Sequence, residues 1–277
     1  MKQIGLLCLI FLFSSSVFSQ SYNELVQASF DYIEKNDLFS AEESLKEAMR
    51  KEPANPQNVM LLSNLGTIQK RQGKPEEALI SYNSALSGNP NNTTLLYNRA
   101  NLYVEMGETD KAIMDYSSLL VSNEKHEGAL YERGLLYLSR NDFFAAEADF
   151  EKLLDVNPNS LEARKGYANL YKLRGEYDEA EKIYFFLLER VKDDPNLLLG
   201  RAELYLLTEK NGRASVDINK AISLEQQQGI ANPYSYILRA RLKIRQYEKK
   251  GAQKDIERAV ELGYDAKKAK ELLELCR

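Results

Sequence analysis

Residues 97–120, YNRANLYVEMGETDKAIMDYSSLL, recur in altered form at residues 131–154, YERGLLYLSRNDFFAAEADFEKLL. The two stretches align without a gap and share eight residues at an offset of 34. The same offset runs through the chain, because five alanines follow it strictly and two more follow it after insertions of three and four residues. These alanines are Ala41, Ala78, Ala112, Ala146, Ala180, Ala214 and Ala252. A fixed period of this length predicts a repeat architecture in which each unit packs on its neighbours.

Seven repeats follow when the alanine is numbered position 20. Their bounds are 22–55, 59–92, 93–126, 127–160, 161–194, 195–228 and 233–266. Position 8 is small in every repeat, position 11 is mostly Tyr, position 24 is large and apolar, and turn-forming residues gather near position 15. Apolar positions spaced by three and four predict two helices in each repeat, and small residues at positions 8 and 20 allow those helices to approach closely. No alternation typical of strands is present.

The end of the chain departs from this pattern. Lys243 occupies position 11 of the last repeat, and Tyr247 stands where a turn former is expected. The segment 267–277 follows, with Ala269 and Cys276 on one helical side. This side predicts a capping helix that covers the exposed end of the last repeat.

The pattern resembles the tetratricopeptide repeat family over about residues 22–266. Small residues at positions 8 and 20, Tyr at 11, a bulky residue at 24 and Pro at 32 all agree with that family. The resemblance implies an all-α fold, an α-solenoid (superhelix) of about seven helix-turn-helix units with a C-terminal capping helix. It also implies a non-enzymatic scaffold that binds a protein or peptide partner in a concave groove.

The resemblance further implies that first-helix positions 2, 5, 9 and 12 line that groove. The partner-binding residues expected there are Tyr97, Asn101, Tyr131, Leu135, Lys165, Asn169, Lys172 and, toward the end, Tyr234, Ile237, Arg241 and Ile244. Cochaperone members of the family hold a C-terminal carboxylate with five Lys, Asn and Arg side chains. Only Lys165 and Asn169 match that set here. A carboxylate clamp is therefore not predicted.

Positions 7 and 23 vary together. In the four repeats where position 7 is Arg, position 23 is Asp; in the other three repeats neither residue occurs. The pairs are Arg99 with Asp115, Arg133 with Asp149, Arg201 with Asp217, and Arg239 with Asp255. Because a shielded guanidinium needs a carboxylate to satisfy its charge and its donors, we predict four structural ion pairs within repeats. The alternative is that these repeats inherited both residues from one duplicated ancestor.

Catalysis, cofactors and metal are not predicted. The one histidine of the chain, His126, lies in a polar turn, and one histidine cannot build a metal site. No glycine-rich phosphate loop follows a strand. The net charge of −4 argues against general binding to nucleic acid.

Residues 1–19 have the layout of a secretory signal peptide, with a basic start, an apolar run at 4–13 and small residues before a cut that leaves Gln20 first. Cys8 lies inside the apolar run, so lipid attachment is not predicted. We therefore predict a domain of residues 20–277 that is exported to the periplasm or cell envelope of a bacterium. Two alternatives stay open. One is a membrane-tethered assembly factor that keeps residues 4–18 as its anchor, and the other is an accessory subunit of an envelope enzyme.

Overall fold

The computed structural model describes residues 20–276 and contains fifteen α-helices there. The predicted signal peptide and Cys8 lie outside the described residues. The helices are α1 Tyr22–Glu34, α2 Leu38–Lys51, α3 Asn58–Arg71, α4 Pro75–Gly88, α5 Thr93–Glu105, α6 Thr109–Ser122, α7 Glu127–Ser139, α8 Phe143–Val156, α9 Leu161–Arg174, α10 Tyr177–Arg190, α11 Pro195–Leu207, α12 Asn211–Gln227, α13 Pro233–Arg245, α14 Lys249–Glu261 and α15 Ala266–Glu274. No strand occurs in this part of the chain. The all-α prediction is confirmed.

The described residues form two compact units, unit 1 up to Asp115 and unit 2 from Tyr116 onward. In unit 1, α1 packs on α2 and α3 on α4, and α2 and α4 each also contact the helix that follows. In unit 2, the pairs α7–α8, α9–α10, α11–α12 and α13–α14 follow the same scheme, and α15 packs on α14. Each unit therefore has the architecture of an α-solenoid, built from helix pairs that contact the next pair.

The core of both units consists of the positions that recur in the sequence. All seven alanines at position 20 are fully buried. The side chains at position 24 are 0–4% exposed, namely Leu45, Tyr82, Tyr116, Phe150, Tyr184, Ile218 and Ile256. Position 8 is buried in every repeat, as Ser29, Gly66, Ala100, Gly134, Ala168, Ala202 and Ala240. Small residues thus leave room for the large side chain at position 24, which explains why these positions vary so little in size.

The turn inside each helix pair has one geometry in all seven repeats. Position 15 has a positive φ of 58–80° in each, as Asn36, Gly73, Gly107, Asn141, Gly175, Glu209 and Tyr247. The N–H of position 16 donates to the carbonyl of position 11 at 2.8–2.9 Å. This is the hydrogen bond of a Schellman-type helix end, for which a left-handed residue is required. Tyr247 therefore occupies a normal turn, although its side chain gave no sign of one.

Helix α15 covers the last repeat. Asp265 caps its N-terminus by accepting from the N–H groups of Lys267 and Lys268. Ala269 and Cys276 are buried against Ile256 of α14.

No helix in residues 20–276 combines the length and apolar character needed to cross a bilayer.

Candidate functional site

In unit 2, the first helices of three successive repeats carry side chains that meet at one carboxylate. The Nζ atom of Lys172 on α9 lies 2.5 Å from the Oε2 atom of Glu203 on α11. The hydroxyl of Tyr234 on α13 donates to Oε1 of Glu203 at 2.8 Å. These three residues occupy repeat positions 12, 9 and 2, so positions from different repeats share one surface. We call the surface formed by positions 2, 5, 9 and 12 of α7, α9, α11 and α13 the groove face.

Glu203 is held as an anion on this face. Burial raises the pKa of its carboxyl, but the positive charge and hydrogen bond of Lys172, the hydrogen bond of Tyr234 and the charge of Arg241 together lower it below its usual value. Glu203 was not among the predicted binding residues. Glu203 occupies repeat position 9, as Asn169 and Arg241 do, and this position could have identified it from the sequence as a groove residue.

The predicted residues on α7 and α9 are half-buried. Tyr131 and Leu135 pack against the core around Phe150, and the rings of Tyr131 and Phe150 have centroids 6.4 Å apart. Asn169 accepts a long hydrogen bond of 3.5 Å from the Tyr184 hydroxyl. Lys165 has no hydrogen-bond or ion-pair partner among residues 20–276. On α7 and α9, the groove face therefore presents the ring of Tyr131, the amide of Asn169 and the ammonium group of Lys165, which is unpaired in the described part of the chain.

Glu132 lies beside Tyr131 and is half-buried as well. Burial raises the pKa of its carboxyl above the usual value, and no partner for it occurs within the described chain. Burial also raises the pKa of the Tyr131 hydroxyl, and the negative charges of Glu132 and Glu162 raise it further. Tyr131 consequently remains a neutral hydrogen-bond donor at physiological pH.

One prediction is wrong on α13, the first helix of the last repeat. Ile237 was expected in the groove, but it is completely buried in the core of α13 and cannot contact a partner. Arg241 is exposed, and together with Ile244, Leu206 and Leu272 it lines a cavity of about 280 Å³. Leu199, at the same repeat position on α11, is buried as well, so position 5 does not face outward in the last two repeats.

Tyr97 and Asn101 belong to unit 1 and are half-buried on α5. In that unit, the Nζ atom of Lys70 on α3 lies 2.8 Å from Oε1 of Glu105 on α5. Successive first helices of unit 1 are therefore bridged by charged groups, as they are on the groove face of unit 2.

All four predicted Arg–Asp pairs form bidentate ion pairs between the two helices of a repeat. In each, the arginine Nε and Nη2 atoms donate to the two carboxylate oxygens over 2.6–2.9 Å. The hydrogen bond that each arginine donates to its aspartate is the main cause of the raised pKa of Arg99, Arg201 and Arg239. The aspartates are 3–6% exposed, so the pairs connect helices inside the fold and are not available to a ligand.

His126 has a structural role that the sequence did not predict. It is the N-cap of α7, and its Nδ1 atom accepts from the N–H of Ala129 at 3.1 Å. Within residues 20–276, no group of three His, Cys, Asp or Glu side chains is arranged to hold a metal ion.

Comparisons with known proteins agree with this architecture. Three tetratricopeptide repeat profiles match residues 61–92, 81–114 and 137–204. The crystal structure of a tetratricopeptide repeat protein from Parabacteroides merdae ATCC 43184 is 52% identical, with a TM-score of 0.87, and the match covers 93% of this chain and 99% of that one. The chain belongs to the tetratricopeptide repeat family. No curated protein matches its sequence.

Other solved structures share the tetratricopeptide repeat fold at low identity. The pilF protein of Pseudomonas aeruginosa is 19% identical over 74% of this chain and 91% of its own, with a TM-score of 0.58. YrrB, described as a tetratricopeptide repeat protein with an unusual peptide-binding site, is 19% identical over 67% of this chain and 94% of its own, with a TM-score of 0.51. Tetratricopeptide repeat proteins are in general non-enzymatic scaffolds that bind protein or peptide partners, and this protein has the scaffold fold.

Proposed function

We propose that this tetratricopeptide repeat protein holds an extended peptide segment of a protein partner on the groove face of unit 2. The observation that carries the proposal is the meeting of Lys172, Glu203 and Tyr234 from three successive first helices. A row of polar groups that crosses several repeats fits a ligand that is itself extended, because each repeat can contact a different residue of it.

The groups on this face suit the backbone and the side chains of a peptide. Lys165 and Arg241 offer positive charge to carbonyl or carboxylate oxygens. Tyr131 and Asn169 offer a flat ring edge and an amide, which are common in interfaces that bind peptides. Since these side chains stand on helices, the scaffold loses little conformational entropy when the partner binds.

The neighbouring structures support the class of ligand. YrrB is described as having a peptide-binding site, and it shares this fold. At 19% identity the likeness extends to the fold alone, and the support for the individual residues comes from the contacts that this chain itself makes.

Removing two groove cations is expected to weaken partner binding at least tenfold. The partner is first captured from an envelope extract of the native host on immobilised protein, and the bound segment is then synthesised as a peptide. Its affinity is measured by isothermal titration calorimetry for the wild type and for the double variant Lys165→Ala with Arg241→Ala. A tenfold loss corresponds to about 1.4 kcal/mol, a reasonable sum for two charge-assisted contacts.

The matched control removes two positive charges elsewhere. Lys250 and Lys254 are exposed on α14, so Lys250→Ala with Lys254→Ala changes net charge equally and should leave the affinity unchanged. Equal affinity of the groove variant and this control would refute the groove proposal, and the role of the second unit would have to be sought on another surface.

We also propose that the protein acts outside the cytoplasm, in the cell envelope of a bacterium. The support is the arrangement of residues 1–19, which is typical of an export signal. Intact-mass analysis of the protein from its native host should give a chain that starts at Gln20. A mass that includes residues 1–19 would favour the tethered assembly factor, and constant co-purification of one enzyme would favour the accessory subunit.

A further inference from the structure

The fifth repeat replaces the buried ion pair with an apolar pair and leaves a cavity. Tyr167 occupies position 7 and Ile183 occupies position 23, where four other repeats have Arg and Asp. A cavity of about 480 Å³ lies beside them, between α8, α9 and α10. Its walls include Leu154, Tyr171 and Phe186. None of these wall residues occupies the groove positions 2, 5, 9 or 12, so the cavity is separate from the groove face.

The replacement removes a side chain that, in the fourth repeat, bridges neighbouring helices. In the fourth repeat, the Arg133 side chain reaches from α7 to Asp149 and also donates to Ser117 at 2.9 Å, so it fills the space between two second helices. In the fifth repeat, the Tyr167 ring turns instead toward Phe150 and Tyr171, with centroids 5.9 and 5.8 Å away. Position 7 supplies no guanidinium here, and the cavity is lined by apolar side chains such as Leu154 and Ile183 as well as by the charged residues Glu147, Arg164 and Lys182.

Arg164 lines the cavity, and Arg190 lies close to its wall residue Phe186. The guanidinium groups of Arg164 and Arg190 lie 4.9 and 4.5 Å from the centre of the Phe186 ring. Arg164 donates to the backbone carbonyls of Ser160 and Pro158, and in residues 20–276 neither arginine forms an ion pair with a carboxylate. These two charges are therefore available to an anionic group of a ligand.

The other charged residues of the wall, Glu147 and Lys182, are each paired with a residue outside it. Glu147 is paired with Arg174, whose Nη2 atom lies 2.6 Å from Oε2 of Glu147. Burial and the negative charges of Glu147 and Glu151 raise the pKa of Tyr167 to about 12, so its hydroxyl is uncharged at physiological pH. Tyr167 and Ile183 thus form an apolar part of the cavity, and Arg164 with the nearby Arg190 supplies positive charge.

We propose that this cavity binds an aromatic or leucine side chain of a protein partner whose neighbouring residues carry carboxylates. The apolar side chain lies against Tyr167, Ile183 and Phe186, and the carboxylates face Arg164 and Arg190. The volume of about 480 Å³ is within the range of about 300–1,000 Å³ found for ligand pockets. The protein then has a second attachment point, independent of the groove face.

The test uses the purified protein and the peptide acetyl-Gly-Phe-Asp-Asp-Gly-amide with 4-fluorophenylalanine as its aromatic residue. Saturable broadening of the fluorine NMR signal is expected. The variant Tyr167→Arg with Ile183→Asp introduces the pair that four other repeats already contain, so it should fold and should bind the peptide at least tenfold more weakly. Arg190→Gln changes an exposed side chain and should weaken binding at least threefold.

Matched controls separate this site from the groove and from general adhesion. Lys165→Ala, on the groove face, should bind the fluorinated peptide as the wild type does. Peptides with Lys in place of both Asp residues, or with Ala in place of the aromatic residue, should bind at least tenfold more weakly. The proposal is overturned if the wild type causes no broadening, if the double variant and Arg190→Gln both bind normally, or if the three peptides bind equally.

Discussion

Replacing Asp149 with alanine is expected to lower the free energy of unfolding by about 2–3 kcal/mol. Removing one partner of a buried ion pair costs about 3–5 kcal/mol, and the loss is smaller here because the Arg133 side chain is 19% exposed and keeps its bond to Ser117. Burial raises the pKa of Asp149, and the hydrogen bond and positive charge of Arg133 offset this only in part. Guanidinium chloride unfolding followed by circular dichroism measures the change.

The fifth repeat supplies the comparison for this experiment. Arg133→Tyr with Asp149→Ile installs the pair found at Tyr167 and Ile183, and it should recover most of the loss because no unpaired charge remains. Asp155→Ala, at an exposed position of the same helix, should change stability by less than about 0.5 kcal/mol. If Asp149→Ala is no more destabilising than Asp155→Ala, the pair does not stabilise the repeat.

Replacing Gly166 with alanine should destabilise the protein by about 1 kcal/mol, although the same change usually stabilises a helix. An added Cβ atom would lie 2.5–2.7 Å from three ring atoms of Phe150, closer than real contacts allow. The ring cannot move away easily, because it is fully buried and Gly134 touches it in the same way. Overpacking of a core costs about 1–3 kcal/mol, which exceeds the gain of about 1 kcal/mol in helix propensity. Thermal unfolding should show the loss directly.

Two further variants test the reason given for this effect. Gly212 lies in α12 with no atom within 4 Å of its added Cβ, so Gly212→Ala should be neutral or slightly stabilising. Phe150→Leu with Gly166→Ala should be more stable than the sum of the two single changes predicts, since the smaller side chain removes the clash. Strict additivity of the two changes would contradict a direct contact between them.

Much of the fold could be predicted from the sequence because the repeats record it seven times. A small residue at position 8, alanine at 20 and a large apolar residue at 24 each have one packing role, and the structure buries all three. The pairing of Arg133 with Asp149 was visible for the same reason, since two positions that change together across repeats point to a contact.

The candidate binding site was harder to predict, because its geometry depends on contacts of single residues that do not recur in every repeat. Glu203 has neighbours from two other repeats, and only the three-dimensional arrangement shows that Lys172 and Tyr234 reach it. Ile237 fits the groove spacing but is buried, because the position of a helix in the core depends on its neighbours as well as on its period. The cavity at Tyr167 follows from the direction of one ring, which no spacing rule contains.

The uniform turn within each helix pair has a consequence for how such a chain can change in length. Its single left-handed residue and its hydrogen bond from position 16 to position 11 leave no space for an extra residue. Both insertions in this sequence, 56–58 and 229–232, fall at joints between pairs instead. Insertions can therefore lengthen the linkers between helix pairs, and whole pairs can be added or deleted. The turn within each helical hairpin keeps its length.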